Sequence, residues 1–323
     1  MHTLRTWVQG KPGLQARLQR LVDSYADEAM TFNLADNTRA GPRQAPELLR
    51  CVSRVATSLG TPVPTVFINS DPQLDASIVS GSKKAALVFN TALLDSFTTE
   101  EIAVVAGHEL GHVVADHGFY LLLARNGLPV VDRMLSAIPG GSLVALTLQY
   151  LVHDWYRKAE LTADRAALVA TGDLEVVQRV IVKLAGGTER HQIDVDEFRE
   201  QALEYRRLLQ TDRKSQTLLH RIEEIAAILM AEGDLRSHPW PALRFLEITE
   251  WSESDQYAAI LREDFHSAAI SEVAEMPLPG EATLASTVSD TARAVGGVVA
   301  AGWRAARSAL EEHGRKRAPD RKA

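Results

Sequence analysis

His108-Glu109-Leu110-Gly111-His112 places two imidazoles and a carboxylate within one short run. On a helix the two histidines share a face, one turn apart. Ring nitrogens so placed can reach one zinc ion at about 2.0–2.1 Å. Glu109, next to the first histidine, can lean toward water activated by that ion and act as its general base. The flanking residues favour the helix that this chemistry needs. Thr98-Thr99-Glu100-Glu101 has the form of a capping box, with Thr98 as N-cap and Glu101 as its reciprocal partner. Ile102, Val105, Ala106, Leu110 and Val113 then supply an apolar face.

A catalytic zinc takes three protein ligands and keeps one position open. The third donor must come from elsewhere in the chain. His117 is one residue off the H-E-x-x-H-x-x-G-x-x-H register, and the glycine position of that pattern holds Ala115. Asp116-His117-Gly118 reads instead as the end of the helix. Glu160 is the better candidate. It belongs to a helical pattern running from Trp155 to Leu168, and Asp164 lies one turn further along the same face. Glu160 would bind the metal, while Asp164 would accept a hydrogen bond from a ligand histidine and fix its tautomer. His153 and Asp154 are rival donors. Solvated ion pairs among Arg157, Lys158, Glu160, Asp164 and Arg165 are the bland alternative.

Other elements must position these groups. Helical spacing covers Leu14 to Met30 and Pro46 to Leu59, with a loop from Asn33 to Pro46 between them. Three short β-branched and aromatic runs follow: Pro64–Asn69, Ala76–Val79 and Ala85–Phe89. The last two are joined by Ser80–Lys84, which suits a hairpin turn. A small sheet therefore precedes the zinc-type helix. Further helices are expected at Leu143–Val152, Trp155 to about Gly172, Glu175–Leu184, Val195–Leu209, Leu218–Ala231, around Leu243, and at Ser254–Ile270.

The chain of 323 residues is long enough for a substantial core. Its net charge of -7 argues against a nucleic-acid partner. Its one cysteine, Cys51, excludes an internal disulfide and a cysteine-based zinc site. Met1 to Gly10 has no apolar signal core, so a cytoplasmic location is expected. The densely apolar run Leu143–Val152 is too short for the ~20 residues of a membrane span, so no transmembrane helix is expected.

Taken together, Glu101–His112, Ala159-Glu160-Leu161-Thr162-Ala163-Asp164-Arg165-Ala166 and Ser237–Arg244 resemble three ordered blocks of a zinc metallopeptidase family. That family contains the bacterial heat-shock protease HtpX and the CAAX prenyl protease. The resemblance covers roughly Pro64 to Ile248. It implies a Glu160 ligand, and His238 and Arg244 lining the site. His238 would donate to the transition-state oxyanion, and Arg244 would hold Asp164 or the substrate backbone. It also implies that Asp75-Ala76-Ser77 corresponds to the strand edge that pairs with an extended substrate.

The expected fold is α+β, mostly helical: a zincin-like metallopeptidase domain over residues 1–273, with its small sheet before the H-E-x-x-H helix. Residues 274–323 would form a linker, an amphipathic helix and a basic tail. The expected function is that of a zinc-dependent metalloendopeptidase acting on peptides or proteins, with one zinc held by His108, His112 and Glu160. Two other classes compete with it. A non-catalytic zinc protein would have no use for the general base Glu109. A membrane-surface protein would use the stripe Val288, Ala292, Val295, Val299, Trp303, Ala306 and Leu310 for peripheral contact.

Overall fold

The computed structural model describes residues 12–122, 141–186, 193–211 and 240–262. The chain divides into two compact units. The first joins Met1–Leu123 to Asp154–Met276 and holds nearly all of the described residues. Of the second, Ala124–His153 with Pro277–Ala323, only residues 141–153 are described, as the first turns of a long helix. The expected helix at 218–231, His238, and the C-terminal stripe from Val288 to Leu310 lie outside the described residues.

The chain opens with α1 (Pro12–Asp36), the two-residue strand β1 (Thr38–Arg39) and α2 (Pro46–Ser58). Three strands follow: β2 (Thr65–Asn69), β3 (Ala76–Ser80) and β4 (Ala85–Asn90). Next come α3 (Thr91–Ser96), α4 (Thr99–Val114) and α5 (Gly118–Leu122). The rest is helical: α6 (Gly141–Thr171), α7 (Leu174–Gly186), α8 (Val195–Thr211), α9 (Pro241–Ser252) and α10 (Asp255–Arg262). The molecule is thus mostly helical, with a small sheet ahead of the helix that carries His108 and His112.

Among the described residues the sheet has four strands, in the order β1-β2-β4-β3. β1 is antiparallel to β2, β2 is parallel to β4, and β3 is antiparallel to β4. The expected hairpin forms, closed at its turn by Gly81 N–H donating to Lys84 O at 2.8 Å. β1 lies within the expected loop from Asn33 to Pro46. Two residues cannot display a period-2 pattern, so pairing with Phe67 and Ile68 is what makes them a strand.

Alternation sorts the strand residues into two faces. Val66, Leu87, Phe89, Ala76 and Ile78 come into register on one face and join a buried cluster with α2 and α4. α2 contributes Leu48, Val52, Val55 and Ala56, and α4 contributes Val104, Val105, Ala106 and Leu110. Phe67 and Ala86, on the opposite face, are also buried. β3 ends the sheet order and packs against α4.

One difference concerns α6. The expected break between Val152 and Trp155 does not occur, and a single helix of 31 residues runs through it. No glycine or proline interrupts residues 142–171, so there is no local reason for the helix to stop. Its end near Gly172 is as expected. Gly172 takes a φ of 69°, and its N–H donates to Leu168 O at 2.7 Å.

Candidate metal centre

α4 begins as its sequence requires. Thr98 Oγ1 accepts from Glu101 N–H at 3.3 Å, and Glu101 Oε2 accepts from Thr98 N–H at 2.9 Å. The same carboxylate oxygen accepts from Lys183 Nζ of α7 at 2.9 Å. This buried ion pair ties the start of the helix to the core.

Two glycines of α4 bring α6 within reach. A Cβ on Gly111 would lie 2.7 Å from Ala166 Cβ and 3.0 Å from Ala163 Cα. A Cβ on Gly107 would lie 2.9 Å from Ala167 Cα. The two backbones therefore approach too closely for any side chain at these positions. Glu160 and Asp164 of α6 are thereby brought against His108 and His112. Sequence reasoning missed this contact, although the four-residue spacing of Gly107 and Gly111 and the alanines at 163, 166 and 167 are its visible signal.

His108, His112 and Glu160 come together, all buried, with one ligand atom of each within 4.8 Å of the others. His108 Nε2 is 3.4 Å from Glu160 Oε2, and His112 Nε2 is 3.5 Å from Glu160 Oε1. These separations exceed an ordinary hydrogen bond. They are close to the ~3.3–3.4 Å edge of a tetrahedron whose corners lie about 2.0–2.1 Å from a central ion. The donor set of two imidazoles and a carboxylate fits zinc. The side chains of His153 and Asp154 lie outside those described.

Asp164 fixes the first ligand. His108 Nδ1 donates to Asp164 Oδ1 at 2.9 Å, which turns Nε2 toward Glu160. Arg244 of α9 grips the same carboxylate with two bonds, Nε to Oδ2 at 2.7 Å and Nη2 to Oδ1 at 2.6 Å. Its Nη1 is 3.5 Å from Glu160 Oε2. Burial opposes ionisation of Asp164, but the Arg244 guanidinium outweighs it and holds the carboxyl at about 2.

Glu109, also on α4, is 2% exposed, and its Oε1 has no hydrogen-bond partner among the described residues. Counting Glu109, Glu160 and Asp164 against Arg244, the cluster carries excess negative charge, which favours a cation. The histidines register this field. Burial disfavours a charged His108, yet the Glu160 charge and the bond to Asp164 prevail and hold the metal-free imidazole at about 9. Burial pushes His112 the other way, below its ordinary value.

A pH dependence follows. In the metal-free protein, protonated His108 contributes stability that is fully present below pH 6.5 and is lost as pH rises through about 9. Metal binding at Nε2 must expel that proton. Zinc affinity is therefore expected to rise about tenfold per pH unit from pH 6.5 towards 9. Chelator competition across this range measures it. A flat profile would mean that no proton leaves His108.

The sequence profile of peptidase family M48 matches residues 42–252, well over half of the chain. The chain belongs to peptidase family M48. It is 33% identical over 256 residues to "Plastoglobule-localized metallopeptidase 48, chloroplastic" of Arabidopsis thaliana, covering 78% of this chain and 70% of that protein. It is 28% identical over 193 residues to "Protease HtpX homolog" of Moorella thermoacetica, covering 52% of this chain and 64% of that one. The resemblance read from the three sequence blocks is thus correct. This M48 chain has no helix among its described residues long and apolar enough to cross a membrane.

One further M48 site feature escaped the sequence reading. His117 is buried against the second ligand, with its Nδ1 3.0 Å from His112 Nδ1.

Proposed function

We propose that this M48 metallopeptidase is a zinc-dependent endopeptidase with one zinc per chain, held by His108, His112 and Glu160. One observation carries the reading: the buried Glu109 Oε1, without a hydrogen-bond partner among the described residues, lies on the helix that presents both histidines. A structural metal site needs no such carboxylate, and a hydrolytic one does.

A zinc ion held by His108, His112 and Glu160 would supply Lewis acidity, for activation of water and polarisation of the scissile carbonyl. Glu109 accepts a proton from the attacking water as its oxygen bonds to the carbonyl carbon. As the C–N bond breaks, Glu109 returns that proton to the leaving amine nitrogen. Asp164 and Arg244 are positioning residues. Asp164 holds the tautomer of His108, and Arg244 keeps Asp164 ionised and still. His238, by family resemblance, would share the oxyanion charge.

Internal cleavage is favoured by the sheet. β3 is one of the two terminal strands among the described residues, contains Ala76 and Ser77, and packs beside α4. An extended chain adding to this edge is held through its backbone, which needs no free terminus. The test is digestion of an unstructured protein by zinc-loaded enzyme, with the new termini read by mass spectrometry. Cuts at internal bonds are expected, abolished by a chelator and restored by zinc. Stepwise loss of residues from one end would overturn the endopeptidase assignment.

A further inference from the structure

We infer that His117 orients the second zinc ligand, accepting a hydrogen bond from His112 Nδ1–H and so directing the Nε2 lone pair at the metal position. His112 turns Nε2 toward Glu160 Oε1, at 3.5 Å, and Nδ1 toward His117 Nδ1, at 3.0 Å. A neutral imidazole carries one proton. For Nε2 to ligate, that proton must be on Nδ1, and His117 Nδ1 must then be the acceptor. His117 is thus neutral and protonated on Nε2.

Local structure places it there. The end of α4 closes in a Schellman turn: Asp116 takes a φ of 56°, Asp116 N–H donates to Val113 O at 3.1 Å, and His117 N–H donates to His112 O at 2.9 Å. This reversal returns the chain onto the last helical turn and sets the His117 ring beside the ligand five residues earlier. Trp155 then walls the ring from the side, edge-on at 5.4 Å between centroids and 86° between planes. Trp155 belongs to α6, the helix that supplies Glu160. Gly118 lets the chain continue past the sheet, since a Cβ there would lie 3.1 Å from Ser80 O. The two ligand histidines are therefore supported differently, His108 by a carboxylate clamped by Arg244 and His112 by a neutral imidazole.

The inference rests on His112 being a ligand, and the test separates the two. His117→Leu removes the acceptor and keeps bulk against Trp155. His117→Asn restores an acceptor, its Oδ1 standing where Nδ1 was. In chelator competition the Leu variant is expected to bind zinc ~10–100-fold more weakly, and the Asn variant within about threefold of the unmodified protein. Histidine 15N spectra of the zinc-loaded unmodified protein should show a bare Nδ1 on His117 and a protonated Nδ1 on His112. A proton on His117 Nδ1 would overturn the inference, whether or not the variants fold. So would a Leu variant that binds zinc as tightly as the unmodified chain. If His112→Ala also binds zinc normally, the ligand assignment itself fails.

Discussion

Glu109→Gln is expected to keep its zinc and its thermal midpoint while hydrolysing peptides at least ~10² more slowly, the lower range for a lost general acid–base group. Glutamine has nearly the same shape but no charge with which to take a proton from water at neutral pH. The loss corresponds to about 2.7 kcal/mol of barrier. Stability should not suffer, for a reason visible in the site. Glu109 Oε1 is buried without a hydrogen-bond partner among the described residues, so the substitution breaks no bond at that oxygen. Retained metal with lost turnover separates a catalytic role from a structural one. Full activity in the zinc-loaded variant would sink the mechanism, and lost zinc would show that Glu109 holds the metal. Activity must be compared at matched zinc occupancy.

Much of this site was legible because it is local or periodic. His108, Glu109 and His112 lie within two helical turns, and the capping box announces the helix that carries them. Glu160 and Asp164 also share a helix face, so their joint approach to His108 follows from one helix packing on another. What sequence patterns do not carry is the closeness of that packing. The glycines at 107 and 111 look neutral in a helical reading, or mildly unfavourable. Only the positions of Ala163, Ala166 and Ala167 across the interface show why side chains are excluded. His117 was hidden for another reason. Read against a linear ligand spacing, it fell out of register, yet the left-handed residue Asp116 turns the chain so that His117 meets His112. β1 became a strand only by borrowing a partner, as two-residue edges do. Arg244 is far from the motif in sequence; family resemblance alone brought it to the site, as a holder of either Asp164 or the substrate backbone, and its two bonds to Asp164 are visible only in the structure.

Gly111→Val is expected to weaken zinc binding by at least ~10², with a smaller loss of fold stability, because it separates the two helices that share the metal. The nearest atoms to an added Cβ are Ala166 Cβ at 2.7 Å, Ala163 Cα at 3.0 Å and Ala163 O at 3.2 Å. Two of the three are backbone and cannot swing aside. α6 must move as a body, and Glu160, one turn before Ala163, moves with it. The His–Glu separations of 3.4 and 3.5 Å would then open beyond what one ion can bridge. Gly111→Ala should give a graded version. Overpacking costs ~1–3 kcal/mol, while alanine's helix propensity returns ~1 kcal/mol. Its thermal midpoint should therefore fall only modestly while its zinc affinity falls clearly. Adding Ala166→Gly to Gly111→Ala removes the closest atom and should recover part of the affinity. Chelator competition and thermal unfolding, measured on the same samples, distinguish the outcomes. Parallel losses in both would describe a general packing defect. Unchanged zinc affinity in Gly111→Val would mean that Glu160 reaches the histidines without the close approach of α4 and α6.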